Sequence, residues 1–124
     1  MGTPSMIGIL NNDGSVTATY CHYDGYLEHN GRVLMTSYNT RHAARAVAEA
    51  GYFSSLSEKF NESVEYAVHK NESPVVYDSV EVYMKCGYNH ASADYLYLFD
   101  GDAWFYATRT KADRRFEEVE MNLA

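Results

Sequence analysis

The chain has 124 residues, a length that fits one globular domain, residues 1–124, whose core needs no disulfide framework. Ten Lys and Arg residues against 17 Asp and Glu residues leave a formal net charge of −7. That charge argues against direct binding to nucleic acid or to an anionic membrane, because both depend on Lys and Arg. Twelve Tyr residues favour half-buried layers or protein interfaces.

Location and cofactors are constrained by what the sequence lacks. Cys21 and Cys86 are too few for a disulfide framework, and the first residues resemble no signal peptide. No apolar run approaches the roughly 20 residues of a membrane span. We therefore expect a cytoplasmic protein with reduced thiols. Because no phosphate loop, Ser-His-Asp arrangement or His-x-Glu metal motif occurs, we expect no cofactor.

The first predicted element is a hairpin at residues 6–22, with Asp13-Gly14 as a two-residue turn. This register predicts a core face that consists of Ile7, Ile9, Val16, Ala18 and Tyr20. It places Gly8, Leu10, Thr17, Thr19 and Cys21 on the opposite face.

Two segments with the residue spacing of a helix follow the first hairpin. Residues 27–38 favour a helix that Gly31 weakens, and the Ala-rich run 41–50 favours a second helix capped by Asn39 or Thr40. Residues 52–60 are expected to form a short helical or irregular packing segment. Residues 64–69 alternate as a strand does.

Residues 76–87 fit both periodicities. Alternation of Val80, Val82, Met84 and Cys86 is typical of a strand, whereas the capping signal at 78–81 and the glycine at 87 favour a helix. We favour the helix.

A second hairpin is predicted at residues 93–109, closed by Asp100-Gly101. Its aliphatic face is expected to join the core. Its other face is aromatic and consists of Tyr95, Tyr97, Phe99, Trp104 and Tyr106. The sequence leaves open whether helices cover that face. Phe116, Val119 and Leu123 have the spacing of a final helix.

These elements predict an α+β fold. We expect a mostly antiparallel sheet, built from the two hairpins and a further strand, with three to four short helices on one face.

Chemically capable side chains are densest at residues 20–26, Tyr-Cys-His-Tyr-Asp-Gly-Tyr. A thiol nucleophile at Cys21 would need a base in reach, but His22 points to the opposite side of a strand, which leaves His29 or His90. The Asp24-Gly25 pair is typical of a turn. This stretch is best interpreted as the corner between the first hairpin and the first helix.

Other constellations are weaker. Cys86 and His90 are four apart, but their spacing matches no zinc motif. Carboxylate pairs at 24 and 28, or at 100 and 102, could serve acid–base chemistry, although Asp-Gly turns explain Asp24 and Asp100. An aromatic platform suits stacked bases, but residues 58–102 carry nine acids and three bases, Lys59, Lys70 and Lys85.

The run from Val16 to Tyr26 resembles a motif in a largely uncharacterised family of small proteins encoded by phages, prophages and plasmids. In that motif a strand ends in Tyr-Cys-His-aromatic-Asp-Gly-Tyr and a helix follows. The similarity continues through residues 32–38, 51–56 and 95–101 with Trp104, over about half of the chain; Leu27 stands where the family commonly has Pro. The resemblance implies an accessory gene of a mobile element, and brings no catalytic residues.

The sequence thus predicts a non-enzymatic accessory protein that inhibits or modulates a bacterial host protein, in an anti-defence or host-takeover role. The expected partner has a basic surface, and the protein lies in the bacterial cytoplasm. The candidate contact residues are Tyr23, Asp24, Tyr26, Glu28, Asp100 and Asp102.

Two alternatives stay open. One is a small enzyme or small-molecule binder that uses Cys21, His22, Asp24 and His29. The other is a homodimer, larger homo-oligomer or virion component, in which the aromatic face is a subunit interface.

Overall fold

A computed structural model describes residues 3–50, 52–53, 56, 74–89, 93–108 and 116–119. The predicted strand at 64–69 lies outside the described residues, as do His90 and Leu123. Seven strands are present in the described part: β1 (Ser5–Leu10), β2 (Val16–Cys21), β3 (Tyr52–Phe53), β4 (Val75–Tyr77), β5 (Tyr95–Phe99), β6 (Trp104–Thr108) and β7 (Glu117–Glu118). Three α-helices accompany them: α1 (Arg32–Ser37), α2 (Arg41–Ala48) and α3 (Val80–Cys86). A π-helical turn at Leu27–Gly31 leads into α1, and a 3-10 turn at Gly87–Asn89 follows α3.

The strands form one mixed sheet in the order β3-β2-β1-β5-β6-β7, and β4 also pairs with β2. Most of the pairings are antiparallel, but β1 pairs with β5 in parallel and so does β2 with β3. The α+β class is therefore confirmed. The parallel β1–β5 pair joins the two predicted hairpins, a contact that neither hairpin encodes locally.

Apolar cores lie on both faces of the sheet. Ile7 and Ile9 of β1 point into a first core with helices α1 and α2, whereas Met6 points into a second core with α3. The prediction of helices on one face is therefore wrong. Central strands buried on both sides are apolar at successive positions, as β5 is, and this hides which face is the core face.

The first hairpin has a different register from the predicted one. The Asn11 N–H donates to the Ser15 carbonyl at 2.8 Å, and Gly14 has φ of 90°, so the loop has three residues. The change of one residue pairs Leu10 with Val16, and it places Val16 on the face of the second core. The predicted grouping of Ile7 and Ile9 with Val16, Ala18 and Tyr20 is therefore wrong.

The second hairpin turns at 101–102, because Phe99 pairs with Trp104 and the Asp100 N–H donates to the Ala103 carbonyl. This register differs by two residues from the predicted one, so the aromatic face keeps its members. Helices α1 and α2 cover that face. Tyr97 and Trp104 are 0% and 2% exposed, and the Trp104 indole N–H donates to the Tyr38 carbonyl at 2.9 Å.

Local signals identified the helices well. The Thr40 side chain caps α2 by accepting from the Ala43 N–H, and Ser79 caps α3 in the same way. The predicted final helix is wrong, because residues 117–118 pair with β6 instead. Residues three apart lie on opposite faces of a strand. Accordingly, Phe116 packs against the second core and Val119 lies in the first.

Candidate functional site

The corner, residues 22–29, follows the end of β2 and lies beside the start of β1. Asp24 has φ of 58°, a left-handed conformation that Asp tolerates better than most residues. The Gly25 N–H donates to the Thr3 carbonyl at 2.7 Å. A Cβ at position 25 would collide with that carbonyl oxygen and would lie 2.8 Å from the Ser5 Cβ. The Asp24-Gly25 pair is thus a turn held against the first strand.

A buried hydroxyl holds the corner from the core side. Tyr97, on β5, donates its phenol O–H to the Gly25 carbonyl at 2.6 Å. The backbone N–H of Asn30, in the π-helical turn, is shared between the carbonyls of Asp24 at 3.3 Å and Tyr26 at 3.1 Å. The corner is therefore fixed at both its entry and its exit.

Cys21 is a buried structural thiol. Its side chain donates to the Tyr23 carbonyl at 3.5 Å and accepts from the Asn30 amide at 3.4 Å. Burial raises the pKa of the Cys21 thiol to about 11. Since the thiolate is the reactive form, nucleophilic chemistry at Cys21 is disfavoured.

The histidines of the corner serve other partners. His22 shares a hydrogen bond with the Tyr20 hydroxyl through its Nδ1 at 2.8 Å, on the side away from Cys21, as strand alternation predicts. His29 donates from Nδ1 to the side-chain carbonyl of Asn30 at 2.9 Å. The structure therefore brings Cys21 and these histidines near one another without forming a thiol–imidazole pair.

Metal binding has no described site. Cys86 is exposed on α3, whereas Cys21 is buried beneath the corner. Within the ranges that the structure describes, no group of three or more His, Cys, Asp or Glu side chains could hold a metal ion. His90, the proposed companion of Cys86, falls outside those ranges.

The exposed part of the corner combines tyrosines with carboxylates. Tyr23 and Tyr26 are 44% and 37% exposed, and Glu28 is exposed near Tyr26. The Tyr26 hydroxyl donates to Asp24 Oδ1 at 3.2 Å. That hydrogen bond and the charge of Asp24 raise the pKa of Tyr26, and the charge of Glu28 adds to the rise. These four residues of the corner all reach solvent and are called here the corner surface: Tyr23, Asp24, Tyr26 and Glu28.

Sequence reasoning missed a further carboxylate at this end of the sheet. Asp94 is exposed, and its backbone N–H donates to the Pro4 carbonyl at 2.8 Å. Burial raises the pKa of Tyr95, and the charges of Glu28 and Asp94 contribute to that rise. Asp94 therefore extends the negative potential of the corner surface, although it is distant from it in sequence.

Asp100 and Asp102 lie at the other end of the sheet. Strand β5 starts at Tyr95, opposite Ser5 and so near the corner, and Asp100 follows its last residue. Five residues of strand span about 16 Å. Asp100 Oδ1 also accepts from the N–H groups of Asp102 at 2.9 Å and Ala103 at 3.0 Å, so this carboxylate stabilises the turn. The six candidate contact residues therefore form two separate surfaces.

Comparison of the chain with known proteins does not assign it to a family. No family model, curated protein or solved structure gave a significant match to the chain. The resemblance of residues 16–26 to small mobile-element proteins therefore stays a prediction. In the described part of the chain, no helix has the length and apolar character needed to cross a membrane.

Proposed function

We propose that this protein is a non-enzymatic binding protein whose corner surface docks on a basic surface of another protein. Following the resemblance to small mobile-element proteins, we infer that the partner is a bacterial host protein, which is inhibited or modulated. The observation that carries the proposal is the pair of exposed tyrosines, Tyr23 and Tyr26, which flank Asp24 in the sequence, with Tyr26 hydrogen-bonded to its carboxylate.

The chemistry of the corner surface suits such a partner. Tyrosine contributes a large contact area with few rotatable bonds, and it is enriched at protein interfaces. Asp24, Glu28 and Asp94 supply negative charge, which speeds encounter with Lys and Arg on a partner and contributes specificity. The hydrogen bonds to Gly25 hold the backbone in place, so binding loses less conformational entropy than at a loose loop.

Both alternatives are less well supported. An enzyme based on Cys21 would need a reactive thiolate, and Cys21 is fully buried with a raised pKa. A homo-oligomer built through the aromatic face would need that face exposed, whereas Tyr97, Phe99 and Trp104 are buried under helices.

A capture experiment from bacterial lysate tests the proposal. We expect a host protein to be retained at low salt and released as the salt concentration rises. Retention should fall sharply for the double variant Tyr23→Ser/Tyr26→Ser and for Glu28→Gln. The control Asp102→Asn removes one exposed carboxylate at the far end of the sheet and should retain the same protein normally. Equal retention by all variants would contradict the proposal.

A further inference from the structure

Asn30 takes part in five hydrogen bonds, three through its side chain and two through its backbone N–H. It is 0% exposed, and its side-chain amide donates to Ser5 Oγ at 3.3 Å and to Cys21 Sγ at 3.4 Å. Its side-chain carbonyl accepts from His29 Nδ1 at 2.9 Å. Its backbone N–H reaches two carbonyls of the corner, those of Asp24 and Tyr26.

These bonds join segments that are distant in sequence. Ser5 begins β1, Cys21 ends β2, and both are buried. Asn30 therefore connects the two strand ends that flank the corner with the turn that follows it. A fully bonded buried amide favours one arrangement of its neighbours, because any other leaves polar groups unpaired.

We propose that Asn30 is a positioning residue, a latch that holds the corner in the conformation of the binding surface. The inference rests on the proposed function for its consequence, since a loosened corner no longer presents Tyr23 and Tyr26 in fixed positions. The latch itself is a property of the fold.

The proposal predicts a local opening rather than global unfolding. The corner exposes Tyr23, Tyr26 and Glu28, whereas its Leu27 packs against the edge of the first core, where Cys21 is also buried. Parts of a protein with few buried apolar contacts open separately from the whole. Without the Asn30 amide, the corner should therefore open while the sheet stays folded, and this opening exposes the Cys21 thiol.

Thiol labelling of Cys21 measures that opening directly. The background variant Cys86→Ser removes the exposed thiol, so that an aromatic disulfide reagent reports on Cys21 alone. In this background, Asn30→Ala is compared with Tyr83→Phe at several urea concentrations below the unfolding transition. Tyr83→Phe is the matched control, because it deletes one buried hydrogen bond, to the Tyr97 carbonyl at 2.7 Å, on the other face of the sheet.

We expect Asn30→Ala to be labelled about tenfold faster than the control or more, with a rate that depends weakly on urea. If labelling of both variants tracks global unfolding, with the same steep dependence on urea, the latch is refuted. Should Asn30→Ala fail to fold, Ser5→Ala keeps the Cβ and removes one partner of the Asn30 amide. It should then show a smaller acceleration of the same kind.

The effect of Asn30→Ala on partner binding is measured separately, as retention of the host protein in the lysate capture. Faster labelling of Asn30→Ala together with weaker retention supports the positioning role. Faster labelling with retention unchanged overturns that role, even though the latch exists. If the parent protein retains nothing, the proposed function fails, while the labelling result still decides whether Asn30 is a latch.

Discussion

Replacing Tyr97 by Phe tests how strongly the core holds the corner. The substitution keeps the aromatic ring in the first core and deletes only the hydroxyl that donates to the Gly25 carbonyl at 2.6 Å. Both residues are buried, so the carbonyl loses this donor in a site that water does not readily reach. A buried acceptor that loses its partner costs about 1–3 kcal/mol.

That cost is a substantial part of the total, since domains of this kind are stable by about 5–15 kcal/mol. Urea unfolding followed by the fluorescence of the single Trp, buried Trp104, gives the free energy of unfolding. We expect a lower urea midpoint with an unchanged slope, because the area exposed on unfolding stays the same.

Tyr83→Phe is the comparison variant, because it deletes a similar buried hydroxyl at 2.7 Å on the other face of the sheet. Both variants should lose similar stability, but only Tyr97→Phe should weaken binding through the corner surface. A loss of less than about 0.5 kcal/mol for Tyr97→Phe would refute the idea that this bond holds the corner. Equal binding by the two variants would contradict the claim that partner binding depends on the conformation of the corner.

Three further predictions concern stability. Burial raises the pKa of Cys21 from 9.0 to about 11, so the neutral thiol contributes stability that is complete below pH 9 and is lost as the pH rises through 11. The loss is roughly 2–3 kcal/mol. The urea midpoint should therefore fall less for Cys21→Ser than for the parent protein between pH 9 and pH 11. Parallel pH profiles of the two proteins would contradict this. Gly25→Ala should lower the free energy of unfolding by about 3 kcal/mol, because the added Cβ overpacks against Thr3. Gly14→Ala should lower it by only about 1 kcal/mol, because its Cβ meets open space and the cost comes from the positive φ. Equal losses of stability in thermal melts would contradict the close approach of Gly25 to Thr3. Ser79→Ala should cost about 1 kcal/mol, because it removes the N-cap of α3, and a melting temperature equal to that of the parent would refute the capping role.

Local structure could be predicted from the sequence because its signals are local. Capping residues and spacing identified α2 and α3, and the two hairpin predictions identified β1, β2, β5 and β6. The short strands β3, β4 and β7 were missed, because they lie in segments that were expected to be helical or irregular. The first hairpin failed because a loop of two or three residues decides the register, and Asp13-Gly14 fits both. The parallel β1–β5 pair and the second core depend on how distant segments meet, and no local pattern encodes that.

In the corner too, some features follow from local sequence and others depend on distant contacts. Its turn at Asp24-Gly25 and the outward direction of Tyr23 and Tyr26 follow from residue types and from the end of β2. The residues that fix it were missed, because the Tyr97–Gly25 bond spans 72 positions and Asn30 resembles an ordinary polar residue within a helix. A buried amide is recognised only when its partners are placed around it.

The salt dependence of binding tests the central claim most directly. For the captured host protein, the logarithm of Kd is measured against the logarithm of salt concentration for the parent, Glu28→Gln and Asp102→Asn. The corner surface predicts weaker binding and a shallower slope for Glu28→Gln, with Asp102→Asn equal to the parent, because Glu28 lies near exposed Tyr26 whereas Asp102 lies at the far end of the sheet. Equal slopes for the two variants, or a larger effect of Asp102→Asn, would contradict the claim that this protein binds through its corner.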